Sequence, residues 1–229
     1  IEYRDGLVRR GAGKIEEVIL YFFTHLRDRQ AVACSVDRNY LPDKEWQGLP
    51  VVPFDEITKS HSPDTHDIFV ALGYQDMNDV RAEKCAHARR LGYTLASYVH
   101  PDSGLPTDCV HGDNCFIMNQ VLIHPRVSLG SNVFVWSGAM IGHHTTIGNN
   151  CWLTSCANVS GEVTVGDNCF FAVNSTVGNR VSIGADCFIG ANALVTKCAD
   201  DGQVFLAEST KPFRLNSRQF LRMSRFADS

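Results

Sequence analysis

Two histidines, His143 and His144, stand side by side in the stretch IGHHTTIG (141–148), between two Ile-Gly pairs set six residues apart. A neutral imidazole, with a reference pKa of about 6.5, can accept a proton from an attacking nucleophile near neutral pH. It can also ligate a metal ion or serve as a polar turn residue. Glu162 follows His144 by 18 residues. A carboxylate so placed could orient the imidazole pair, or it could be a solvent-facing turn charge. The choice depends on the elements that hold these residues.

Those elements repeat. Stepping by six from Ile117 gives Ile117, Ile123, Leu129, Val135, Ile141, Ile147, Leu153, Val159, Val165, Phe171, Val177, Ile183, Ile189 and Val195, all apolar. Two residues earlier in each hexad stands a small residue, none larger than Val, as at Cys115, Val121, Ala139 and Thr145. A large and a small inward position separated by one outward residue is strand alternation, and a turn must follow because the pattern restarts every six residues.

A second period of 18 overlies the first. Glycine recurs at 112, 130, 148, 166 and 184. Asn114, Asn132, Asn150, Asn168 and Asp186 form a second column, and Phe116, Phe134, Trp152, Phe170 and Phe188 a third. Three hexads therefore make one coil, and like residues stack at the spacing of neighbouring strands, about 4.8 Å. Gly and Asn suit the positive φ that tight corners demand. Cys115, Cys151, Cys169 and Cys187 share one inward column, which reads as small core residues rather than ligands or nucleophiles.

The hexads of residues 105–200 resemble the left-handed parallel β-helix of the hexapeptide acyltransferases. That resemblance implies a triangular prism assembled as a trimer, which would cover its aliphatic faces. Ahead of it, the apolar stripe Ile15, Val18, Ile19, Phe22, Phe23 and Leu26 has helical spacing. The runs AVACSV (31–36), DIFVAL (67–72) and GYTLASYV (92–99) read as strands, with a charged helical stretch over 76–90. Strands alternating with helices predict a small parallel α/β sheet of Rossmann-like type. Its first turn, with Gly11 and Gly13 but Glu16 where a third glycine would stand, is an incomplete phosphate-binding fingerprint.

The two halves together resemble the bacterial nucleotide-sugar acyltransferases, including the sialic acid O-acetyltransferase and the UDP-amino-sugar and perosamine N-acetyltransferase types. The resemblance implies three parts. Residues 1–103 would bind a nucleotide-linked sugar, 104–203 would form the β-helix with acetyl-CoA as acyl donor between subunits, and 204–229 would leave the prism as a tail with a short helix from about Ser217. By position Gly11, Ala12 and Gly13 match the family's phosphate turn, Asp37 an acidic residue near the base or ribose, and Gly73 a glycine near the sugar nucleotide. Asn78 and Arg81 are further candidate contacts, or else a solvated helix face. For acyl-CoA the positions are Trp152, Val173 and Ala191, although Trp152 also belongs to the aromatic column.

The resemblance also places the catalytic histidine at His143. Along its column of Pro125, His143, Gly161, Asn179 and Lys197 it does not repeat, as a structural ladder could. Gly161 leaves space beside it and is the candidate oxyanion N–H. In relatives an acidic residue often follows that histidine; here His144 does, which puts the role of Glu162 in question. The implied reaction is direct attack of a sugar amine on the thioester. A sugar hydroxyl is the alternative acceptor. A zinc enzyme using His124, His143 and His144, as in the γ-type carbonic anhydrases, and a non-catalytic scaffold are the remaining alternatives. In the tail, Lys211, Arg214, Arg218 and Arg222 could meet CoA phosphates or form a solvated face.

A net charge of −4 gives no basic footprint for nucleic acid. The longest apolar run, VILYFF (18–23), is too short to span a bilayer. Nine cysteines without a C-x-x-C pair fit a reducing cytoplasm and no zinc ribbon.

Overall fold

The computed structural model describes residues 6–10, 14–25, 31–40 and 44–223. The first unit is an α/β sheet built from β1 (Gly6–Arg10), β2 (Ala31–Val36), β3 (Glu45–Trp46), β4 (Leu49–Pro53) and β5 (His66–Val70). Its strand order is β3-β4-β2-β1-β5, and only the β3–β4 hairpin is antiparallel. Gln47 and Gly48 turn that hairpin with φ of 51° and 75°, as a tight two-residue turn requires. Helix α1 (Lys14–His25) follows β1, the short α2 (Ile57–Ser60) precedes β5, and α3 (Asp79–Arg90) follows it. In α1 the predicted apolar stripe buries Ile19 and Phe23.

The expected strand over 92–99 is not part of this sheet. Leu95 makes a single bridge to Ile68, and Tyr98–Val99 instead pairs with Phe116–Ile117. The segment hands the chain from one unit to the next, so its apolar residues serve two cores.

From there the chain winds as the left-handed β-helix that the hexads predict. Two-residue strands stack into three parallel sheets, and successive strands pair 18 residues apart, as Phe134 with Trp152, Met140 with Asn158 and Thr146 with Thr164, until the last coil, where Phe188 pairs with Val204. The first face carries Ser128–Leu129 and Thr146–Ile147, the second Phe134–Val135 and Trp152–Leu153, the third Met140–Ile141 and Asn158–Val159. The inward column of large residues from Ile117 to Val195 is buried throughout.

The corners refine the expectation about glycine. The Asn column does take positive φ, from 52° at Asn114 to 62° at Asn132. The Gly column does not: only Gly48, Gly92, Gly138 and Gly202 have positive φ among the described residues. Close stacking requires those glycines instead. A Cβ at Gly130 would lie 2.8 Å from the backbone N of Asn149, and one at Gly166 2.5 Å from that of Ala185.

The second face is covered by the α/β unit. Phe69 of β5 stacks on Phe134, Tyr74 lies 4.5 Å from Phe170, and Phe22 meets Phe116. Ile19, Phe23, Phe69 and Ala71 share one continuous core with the coil interior. Arg89 of α3 clamps Asp113 through two bonds of 3.0 and 2.5 Å. The tail carries α4 (Ser217–Met223), where a helix was expected. Among the described residues no helix is long and apolar enough to cross a membrane.

Candidate active site

His143 and His144 form the corner between the third and first faces, after Met140–Ile141 and before Thr146–Ile147. Four successive coils turn here through a left-handed residue: Arg126 (φ 62°), His144 (58°), Glu162 (57°) and Arg180 (61°). Such φ values are unfavourable for these side chains and cheapest for Gly or Asn. The first-to-second corner uses Asn at four of its five left-handed positions and Asp at the fifth. At the His143 corner charged and titratable residues occupy the strained position instead, a pattern associated with functional sites.

The two imidazoles touch. Nδ1 of His143 lies 3.1 Å from Nδ1 of His144, and the rings meet edge to face at 86° with centroids 5.2 Å apart. On the far side of His144, Nε2 lies 3.4 Å from a guanidinium nitrogen of Arg126. Both histidines are exposed. The open notch over Gly161 receives the outer edge of His143: a Cβ there would stand 2.8 Å from both Cε1 and Nε2 of the ring, and 3.1 Å from Oδ1 of Asn179. The backbone N–H of Gly161 donates to no group among the described residues. The notch thus gathers an imidazole nitrogen and an amide oxygen beside Gly161, the residue whose N–H is uncommitted among the described residues.

Glu162 does not hold the imidazoles. Its carboxylate accepts from Nε and Nη2 of Arg180 at 3.1 and 3.3 Å. That bond, with lesser help from Arg180's charge and the two histidines, holds the carboxyl below its ordinary range. What links Glu162 to the site is its backbone N–H, which donates to the carbonyl of His143 at 2.8 Å. The side-chain partner of His143 is His144. The same 18-residue step finds Arg126 one coil before His144 and Arg180 one coil after Glu162, two residues that the reading by residue type passed over.

Other candidates lie elsewhere. Val173 and Ala191 are exposed at the corner between the second and third faces, so a whole prism face separates them from His143. Trp152 is buried between Phe134 at 4.9 Å and the guanidinium of Arg81 at 5.0 Å, so its place in the aromatic column, and not an outward surface, explains it. Asp37, at the end of β2, is paired with Lys84 at 3.1 Å. Gly73 lies beside Ile15, near the start of α1, and its carbonyl accepts from Arg81. Gly11, Ala12 and Gly13 fall outside the described residues. Lys211, Arg214, Arg218 and Arg222 are exposed on the tail.

Asn78 and Arg81 form no surface of either expected kind, because both are fully buried. The Arg81 guanidinium donates to Oδ1 of Asn132 (2.8 Å), Oδ1 of Asn78 (3.0 Å) and the carbonyls of Gly73, Asn132 and Asn150. It also sits 4.5 Å over Phe134. Burial lowers its pKa to about 10, which still leaves it charged at neutral pH. Arg81 rivets the α/β unit to the coil.

The inward thiols are spent in the core, as expected. Cys115 donates to the carbonyl of Gly130 and burial raises its pKa to about 12, so it is no thiolate nucleophile. Among the described residues no three His, Cys, Asp or Glu side chains converge as a metal site.

Comparison with known proteins agrees with this architecture. The model for the bacterial transferase hexapeptide (six repeats) matches residues 108–143, and that for the hexapeptide repeat of succinyl-transferase matches 162–179 and 180–196. No curated protein matches the chain. Among solved structures, PerB from Caulobacter crescentus, in complex with CoA and GDP-perosamine, is 25% identical with a TM-score of 0.79, over 88% of this chain and 94% of that one. The acetyltransferase domain of PglB from Neisseria gonorrhoeae FA1090, in complex with acetyl coenzyme A, is 22% identical with the same TM-score, over 93% and 100%. WeeI from Acinetobacter baumannii AYE is 16% identical with a TM-score of 0.72, over 88% and 96%. The resemblance to the nucleotide-sugar acyltransferases of the hexapeptide family thus holds, and the fold is shared across nearly the whole chain.

Proposed function

We propose that this protein is an acetyl-CoA-dependent N-acetyltransferase acting on the amine of a nucleotide-linked sugar, with His143 as general base. The observation that carries the reading is the exposed His143 ring over the Gly161 notch, backed by a second imidazole at 3.1 Å. The likeness to PerB, whose complex holds CoA and a nucleotide-linked amino sugar, supports the substrate classes.

Acetyl-CoA supplies a thioester carbonyl open to attack. As the amine nitrogen bonds to that carbon, it gives up a proton to Nε2 of His143. The N–H of Gly161, which has no partner among the described residues, is in this reading the donor for the negative charge developing on the carbonyl oxygen. The carbon–sulfur bond then breaks, the imidazolium returns its proton, and amide and free CoA thiol result. The chain's own task is to hold both reactants in one place, which accounts for two units locked together.

In this reading the α/β unit (1–103) binds the sugar nucleotide, with Gly11, Ala12 and Gly13 as its phosphate turn and with Asp37 and Gly73, which follow β2 and β5, beyond the carboxyl ends of strands. The β-helix (104–203) receives the acyl donor, and Val173 and Ala191 leave its second-to-third corner narrow enough for the pantetheine arm. Because that corner is a face away from His143, a complete site requires two subunits, and a homotrimer meets the need. Leu122 and Leu194, 49% and 66% exposed on the third face, are the apolar side chains that assembly would cover. A cytoplasmic step in the making of surface polysaccharide fits these substrates.

The test is thiol release from acetyl-CoA against matched amino and hydroxy forms of nucleotide-linked sugars. Turnover is expected with an amino sugar, falling about 10²- to 10⁴-fold in His143→Ala. Turnover with the hydroxy form alone would assign an O-acetyltransferase, and full activity in His143→Ala would remove the base.

A further inference from the structure

The hydrogen between the two imidazoles is a choice, because their Nδ1 atoms face each other at 3.1 Å and only one can donate. Arg126 biases the choice. Its guanidinium carries N–H donors and no acceptor. At 3.4 Å from Nε2 of His144 it favours a lone pair there and disfavours an N–H. Neutral His144 then carries its hydrogen on Nδ1 and donates it to Nδ1 of His143. Neutral His143 must therefore carry its own hydrogen on Nε2, the nitrogen at the Gly161 notch, which cannot accept a proton in that state.

The reverse arrangement has His143 donating from Nδ1 to Nδ1 of His144, with the His144 hydrogen on Nε2. Each ring keeps one hydrogen, and solvent exchanges them. Nε2 of His143 is now a free base, but an N–H points at the Arg126 cation. Among the described residues no other side chain bonds the pair to relieve that conflict. Glu162 is engaged by Arg180 and bonds neither ring. The carboxylate of Asp108 accepts from the backbone N–H of Arg126 at 3.1 Å, and the Arg126 side chain is in no ion pair among the described residues.

We propose that Arg126 is a positioning residue that sets this tautomer: it holds His143 with its hydrogen on Nε2 until a substrate phosphate draws the guanidinium away and frees that nitrogen as a base. The release half rests on the function proposed above, because its acyl donor and acceptor both bring phosphates. The tautomer half rests on the geometry alone. The exposed Arg126 guanidinium, in no ion pair among the described residues, is free to change partner, whereas Arg180, bonded twice to Glu162, is not.

The test is long-range proton–nitrogen correlation of the histidine rings at about pH 8.5, where free imidazole is neutral. His143 signals are assigned by their loss in His143→Gln. Wild type is expected to carry hydrogen on Nε2 of His143, and Arg126→Met on Nδ1. Saturating pyrophosphate should move wild type toward the Arg126→Met pattern. One tautomer shared by wild type and Arg126→Met would overturn the assignment, and a wild-type spectrum unmoved by pyrophosphate would overturn the release. Neither result depends on turnover, so a failed acetyl-transfer assay and a failed tautomer switch are separate outcomes.

Discussion

At the scale of single residues, the candidate site depends as much on an absent side chain as on the imidazole. Gly161 has no positive φ to explain it, yet one methyl there would stand 2.8 Å from two atoms of the His143 ring. Gly161→Ala should therefore leave the fold intact, since the ring is exposed and can swing away, while moving the base off the notch. Acetyl transfer should drop about 10- to 100-fold, the usual cost of displacing a catalytic group by about an ångström. Steady-state kinetics beside a thermal melt checks both halves; unchanged kcat/KM would mean that the ring's position over Gly161 is unimportant. Stepping along the sequence by 18 suggested that glycine as open space, because a column exposes what stacks on what. It could not reveal that His144 takes the partner's place and that Glu162 is claimed by Arg180. Rotamers within a ladder of alternating charges decide that.

At the scale of elements, the unit boundary turns on α3. Its sequence, DVRAEKCAHARR, is so charged that it reads as a solvated helix, yet Arg81, Cys85 and Ala88 form a buried face at helical spacing. An arginine at the head of that face hides the pattern from any count of apolar residues. Its burial makes sense only once the Asn ladder is assembled, because Asn132 and Asn150 supply its acceptors from successive coils. Arg81→Met should cost about 3–5 kcal/mol, as it strands those buried oxygens without a donor while keeping comparable volume. Chemical denaturation checks this, and a loss under 1 kcal/mol would show that water replaces the guanidinium. The coil itself was readable in advance because period, column identity and small-to-large alternation all report one geometry. The α/β unit was less so: the segment 92–99 has a strand's composition but touches the α/β sheet only through the Leu95–Ile68 bridge and joins the coil through Tyr98–Val99.

At the scale of the whole molecule, one chain does not bring its own candidate residues together. His143 stands at the third-to-first corner, and Val173 and Ala191 at the second-to-third corner, with the third face between them. In a closed ring of three, each His143 edge would meet the neighbour's Ala191 edge, and every site would draw on two subunits. This makes a sharper prediction than oligomer size alone. His143→Ala removes the base from one edge, and Ala191→Trp fills the other, so each variant alone should be inactive. Refolded together in equal amounts, they place an intact His143 edge against an intact Ala191 edge in about one site in four, as random association in a ring requires. Activity near a quarter of wild type in the mixture, against none in either variant alone, would establish the shared site. If both variants are inactive alone and the mixture is inactive too, each chain must complete its own site, and the pantetheine corner would have to be sought nearer His143.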